Sequence, residues 1–111
     1  MEPISYDIEY YLCDCAVSVE TIKELIYLIQ SGKLKMDVSF SELTKILISK
    51  NITIYLVELS SLKILSELPF YKKHPDPSDR VIIAQAVAGN RTLVSGDMNF
   101  KLYPNLQLLA V

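Results

Sequence analysis

The chain has 111 residues, half of them hydrophobic and 22% charged, with a net charge of −2. That is the size of one domain, here taken as 1–111, with the composition of an ordinary globular protein. No apolar run approaches the ~18 residues of a membrane span, Met1-Glu2-Pro3-Ile4 is no secretory leader, and the acidic balance argues against a protein that coats nucleic acid indiscriminately.

Pro3 to Leu12 reads as a short, partly apolar helix. Cys13 and Cys15 are too close to build a disulfide framework, so free thiols and a reducing, cytoplasmic compartment are expected. A metal role for them would need further ligands nearby, and the sequence offers none. Cys15-Ala16-Val17-Ser18-Val19 is short and β-favouring, a candidate buried strand. Thr21-Ile22-Lys23-Glu24 carries the T-x-x-E signature of a capping box. The helix after it presents Ile22, Leu25, Ile26, Leu28 and Ile29 on a broad apolar face and should stop at Gly32. A second capping box, Ser39-Phe40-Ser41-Glu42, opens a helix with Leu43, Ile46 and Leu47 on its core side, ended by Asn51.

Ile52 to Val57 is the next predicted strand, and Ser60 or Ser61 starts a helix running to about Leu68. Pro69 to Pro77 is a loop. Asp76 is the expected N-cap of the following helix, with Pro77 at its first position, where a missing N–H costs nothing. That helix runs to Gly89-Asn90, and His74 ahead of it reads as a loop residue. Thr92 to Ser95 is a strand, Met98 to Leu102 a short helical turn, and Leu106 to Ala110 a last strand. Strands that alternate with helices imply an α/β fold with a largely parallel sheet.

In such sheets ligands bind beyond the carboxyl ends of the strands, where the helix N-termini also point. Asp97 follows a strand at that end, Asp79 lies in the first turn of its helix, and Glu24 lies in the predicted first turn after Val19. All three are expected at one edge. Carboxylates a few ångströms apart repel by about 3–4 kcal/mol per pair at an effective dielectric near 20, so a divalent cation or a retained proton must accompany them. Magnesium and manganese accept two or three carboxylates and keep several waters, and such a site suits phosphodiester hydrolysis. Each acid also has a purely structural reading: Glu24 within a capping box, Asp79 against the helix dipole, Asp97 as a turn cap. Lys72, Lys73 and Arg80 cluster around the same loop, as a solvated surface or as phosphate contacts.

His74-Pro75-Asp76-Pro77-Ser78-Asp79-Arg80-Val81-Ile82-Ile83-Ala84-Gln85-Ala86 resembles the H-x-D-P-[FS]-D-R-x-[IL]-I-A-Q-A segment of PIN-domain proteins of the VapC toxin type. Thr92-Leu93-Val94-Ser95-Gly96-Asp97, with Phe100 and Tyr103, is similar to that family's L-[VI]-[ST]-x-D-x-x-F-x-x-Y element. Val17-Ser18-Val19-Glu20-Thr21-Ile22-Lys23-Glu24 followed by Gly32-Lys33-Leu34 is similar to its V-S-x-x-[ST]-[LI]-x-E…G-K-L element. The resemblance implies a PIN-like three-layer fold, a mostly parallel central sheet flanked by helices. It also implies a Mg2+- or Mn2+-dependent ribonuclease, the toxin of a toxin–antitoxin pair, with RNA as substrate and a protein antitoxin as partner.

The family's acids fall here on Glu24, Asp79 and Asp97, as catalytic and metal-binding residues, with Asp76 a weaker candidate and Lys72, Lys73 and Arg80 candidates for RNA contact. The family's opening strand, L-L-D-T-[HN], with its first metal-binding Asp, has no counterpart here. By that comparison the central strand of the sheet is missing. The expectation is then that the flanking strands close on each other, that another segment fills the slot, or that two chains associate as a homodimer or other assembly. The alternative function is a catalytically inactive PIN module that acts only in protein binding or self-association.

Overall fold

The computed structural model describes residues 15–111; the predicted helix over Pro3–Leu12 and Cys13 lie outside them. The fold is mixed α/β, with small parallel sheets flanked by helices, and is compatible with a PIN-like fold. By its internal contacts the chain forms two compact units, Met1–Leu56 and Val57–Val111.

In the N-terminal unit, β1 (Ala16–Ser18) pairs in parallel with β2 (Thr53–Tyr55), Val17 standing opposite Ile54. Half-buried Cys15 immediately precedes β1 and accepts the Thr53 N–H through its carbonyl. Between the strands run α1 (Val19–Gln30) and α2 (Phe40–Ser49). Helix α1 begins earlier than the sequence reading placed it. The Ser18 hydroxyl accepts the Glu20 N–H at 3.1 Å, so Ser18, not Thr21, is the N-cap, and Val19 belongs to the helix rather than the strand. Ser18-Val19-Glu20-Thr21 offers two overlapping hydroxyl caps. The pairing of β1 stops at Ser18↔Tyr55, which selects the first of them.

Both ends of the next turn behave as local chemistry dictates. Gly32 has φ +80°, the left-handed conformation that stops α1 without a Cβ penalty. Ser39 and Glu42 form a complete capping box at α2: the hydroxyl accepts the Glu42 N–H at 3.1 Å and the carboxylate accepts the Ser39 N–H at 3.2 Å. Asn51, with φ 58°, turns the chain out of α2 toward β2.

The C-terminal unit holds α3 (Leu59–Glu67), α4 (Pro77–Ala88), β3 (Thr92–Ser95), a 3-10 turn (Met98–Leu102) and β4 (Gln107–Ala110). Strands β3 and β4 are parallel, Thr92 opposite Gln107 through Ser95 opposite Ala110. On α4 four consecutive residues, Ile83, Ala84, Gln85 and Ala86, are buried. Four consecutive positions cover a full turn, so the helix is enclosed at that level rather than amphipathic. Ile83, Phe100 and Tyr103 form the core, against which Leu68, Tyr71, Val87, Leu93, Leu106 and Leu108 pack.

The four described strands form two two-stranded parallel sheets, one within each unit. No helix among the described residues is long and apolar enough to cross a membrane.

Candidate metal centre

Asp79 and Asp97 reach their positions by the route the sequence suggested. Asp76 caps α4, its Oδ1 accepting the N–H groups of Ser78 at 2.9 Å and Asp79 at 3.2 Å, with Pro77 opening the helix. This holds Asp79 in the first turn, where the helix dipole favours a carboxylate. Asp97 lies two residues beyond the carboxyl end of β3 and caps the 3-10 turn, its Oδ1 accepting the Asn99 N–H at 2.9 Å. One oxygen of Asp97 is therefore spent on the backbone, and the other is left to face the cluster.

The third member is His74. The loop reading underestimated it: the residue is only 3% exposed. Its ring stands edge-on to Phe100, centroids 4.8 Å apart, and to Tyr103 at 5.4 Å. Tyr103 lies in turn edge-on to Tyr71 at 5.1 Å, and the His74 N–H bonds the Tyr71 carbonyl. The Nε2 atom points to the two acids, 3.2 Å from Asp79 Oδ2 and 3.7 Å from Asp97 Oδ2. One ligand atom from each of His74, Asp79 and Asp97 falls within 4.8 Å of the others. His74 is buried, whereas the side chains of Asp79 and Asp97 are 27% and 43% exposed, so the cluster is open to solvent on its carboxylate side.

Glu24 belongs to the N-terminal unit; it is the sixth residue of α1, hence in the second turn rather than the first, and its side chain is exposed. The first-turn acid of α1 is Glu20, paired with Lys23 at 2.9 Å. Lys72 and Lys73 are exposed in the loop before His74. Arg80 donates to the carbonyls of Pro69 at 2.7 Å and Leu68 at 3.4 Å and covers the Phe70 ring at 5.3 Å. Its fork therefore fastens the exit of α3 to the start of α4, using two of its five donors. The signal that could have found His74 is the same Phe100 and Tyr103 that carried the family resemblance: two aromatics at i and i+3 after Asp97 must bury something.

No protein-family model matches the chain, and no curated protein matches it. Among solved structures the fold is shared with a chain in the crystal structure of VapBC2 from Rickettsia felis bound to a DNA fragment from their promoter. The TM-score is 0.71 at 22% identity, over 96% of this chain and 83% of that one.

Proposed function

We propose that this protein is a PIN-like, divalent-metal-dependent ribonuclease of the VapC toxin type. The observation that carries the reading is the convergence of Asp79 and Asp97 at the carboxyl end of a parallel strand pair and a helix N-terminus, with the buried His74 Nε2 aimed between them. Similarity of fold to a VapBC2 chain supports it. Two carboxylates and an imidazole nitrogen are a donor set that fits a divalent ion, and the unbonded Nε2 fits it further. Asp79 and Asp97 would hold the ion, with His74 alongside.

When bound, Mg2+ or Mn2+ supplies a Lewis acid for a phosphodiester and a positive charge that favours hydroxide as nucleophile. The chain's own groups do the positioning. Asp97 Oδ1 is pinned by the Asn99 N–H, which fixes where Oδ2 faces, and the Asp76 cap fixes the turn that carries Asp79. The solvent-open side of the cluster is where an RNA backbone approaches, and Lys72 and Lys73 supply positive charge on the adjoining loop. The proposed partners are a cognate protein antitoxin, in the cytoplasm, and a second copy of the chain.

The test is cleavage of labelled RNA with added MnCl2, comparing the chain with Asp79→Asn and Asp97→Asn. We expect phosphodiester hydrolysis that falls at least about 100-fold in either variant, the scale set by loss of an electrostatic catalytic group. Absence of cleavage by the folded wild-type chain across metals and RNAs would sink the nuclease reading and favour a module that acts by binding protein alone.

A further inference from the structure

His74 meets Tyr103 through two of its atoms, Nδ1 and the backbone carbonyl oxygen. The Tyr103 hydroxyl donates to the His74 carbonyl at 3.2 Å, and the same oxygen lies 2.9 Å from Nδ1. The carbonyl can only accept, so when the hydroxyl gives it its proton the hydroxyl meets Nδ1 as an acceptor, and in that arrangement Nδ1 carries a hydrogen. In the neutral ring, Nε2 is then a bare lone pair. That lone pair is buried, makes no hydrogen bond, and faces two carboxylate oxygens that cannot donate to it. A buried acceptor among acceptors is unfavourable unless a proton or a metal cation sits between them, and the separations distinguish which ion the cluster is shaped for.

The distances fit such a cation. Donors at ~2.1 Å from an ion stand about 3.0 Å apart in an octahedron and about 3.4 Å apart in a tetrahedron. The Nε2 separations of 3.2 and 3.7 Å from the two carboxylate oxygens lie near these values. In a ligand set each lone pair points at the shared centre, about 45° away from a neighbouring octahedral donor. A close Nε2–Oδ2 contact that is not a hydrogen bond is what that arrangement produces.

We propose that His74 Nε2 is itself a metal ligand, with Asp79 and Asp97, and that Tyr103 is its positioning residue, holding the Nδ1–H tautomer. This deepens the proposed function and rests on its metal site. It makes the site a mixed nitrogen–oxygen centre, which favours Mn2+ and the later divalent transition metals over Mg2+, an ion that prefers oxygen alone.

His74 is the single histidine of the chain, so any imidazole signal belongs to it. The probe is MnCl2 added to the full-length, tag-free protein, read by electron spin echo envelope modulation with and without 15N-histidine labelling. We expect nitrogen modulation that changes with the label, and Mn2+ binding at least about 10-fold tighter than Mg2+ in competition. In Tyr103→Phe, with its fold verified by circular dichroism, Mn2+ affinity should fall about 10–100-fold while Mg2+ affinity changes little. Bound Mn2+ without histidine modulation overturns the proposal and leaves the carboxylate site standing. Failure to bind Mn2+ at all overturns both. Equal loss of Mn2+ and Mg2+ in Tyr103→Phe overturns the positioning role.

Discussion

Asp76 caps the helix whose first turn carries Asp79, the acid proposed to hold metal, and replacing Asp76 in two ways makes the two roles measurable. Its Oδ1 accepts two N–H groups at the start of α4. Truncation in Asp76→Ala removes this shared acceptor and both hydrogen bonds, a loss of about 1 kcal/mol for an N-cap. It also removes a negative charge from the helix N-terminus, about 0.5 kcal/mol more. Pro77 keeps the first helical residue preset, so the helix shortens rather than dissolves.

The sum, about 1.5 kcal/mol, lowers Tm by roughly 5–8 °C in a chain of this length, measured by circular dichroism at 222 nm. Asp76→Asn keeps a side-chain oxygen in the same place and loses only charge, so its stability should stay within about 0.5 kcal/mol of wild type. Mn2+ binding, followed by the loss of free-ion electron paramagnetic resonance signal, should persist in Asp76→Asn and collapse in Asp79→Asn. An Asp76→Asn protein as deficient in Mn2+ as Asp79→Asn would refute the division of labour drawn between the two acids. An unchanged Tm in Asp76→Ala would refute the cap.

The other expectations concern the frame that holds the site. Ile83 is 0% exposed at the centre of the C-terminal core, so Ile83→Ala should cost about 3–4 kcal/mol, seen as a lower urea midpoint at unchanged m. Arg80→Lys should cost about 1–2 kcal/mol, because a lysine cannot bond the Leu68 and Pro69 carbonyls together while lying over Phe70. By contrast Lys72→Ala and Lys73→Ala, both exposed, should leave stability within about 0.5 kcal/mol. An Arg80→Lys protein as stable as wild type, with weakened RNA binding instead, would return the arginine to the set of phosphate contacts.

Much of this molecule was legible without coordinates, and the legible parts share a cause. Ser39 with Glu42, Asp76 with Pro77, Gly32, Asn51 and Asp97 each act on backbone groups within three or four residues, so the chemistry that places them is written beside them. The alternation of strand and helix likewise implied parallel pairing, because a crossover helix returns the chain in the same direction. Even the error at α1 was local: two hydroxyl caps three residues apart, Ser18 and Thr21, are equivalent in sequence, and strand pairing with Tyr55 chose between them.

Sequence alone therefore determined the α/β class, the helix and strand order, and the placing of Asp79 in the first turn of α4 and of Asp97 just beyond β3. Tertiary structure alone decided that the described strands form two separate pairs, that Arg80 is engaged in holding α3 to α4, and above all what His74 is. An imidazole in a Pro-flanked loop has no local partner. Its burial comes from Phe100, and its tautomer from Tyr103, 29 residues away. Contacts at that separation exist only once the core has closed, so a residue that reads as part of a loop is buried with its Nε2 beside Asp79 and Asp97.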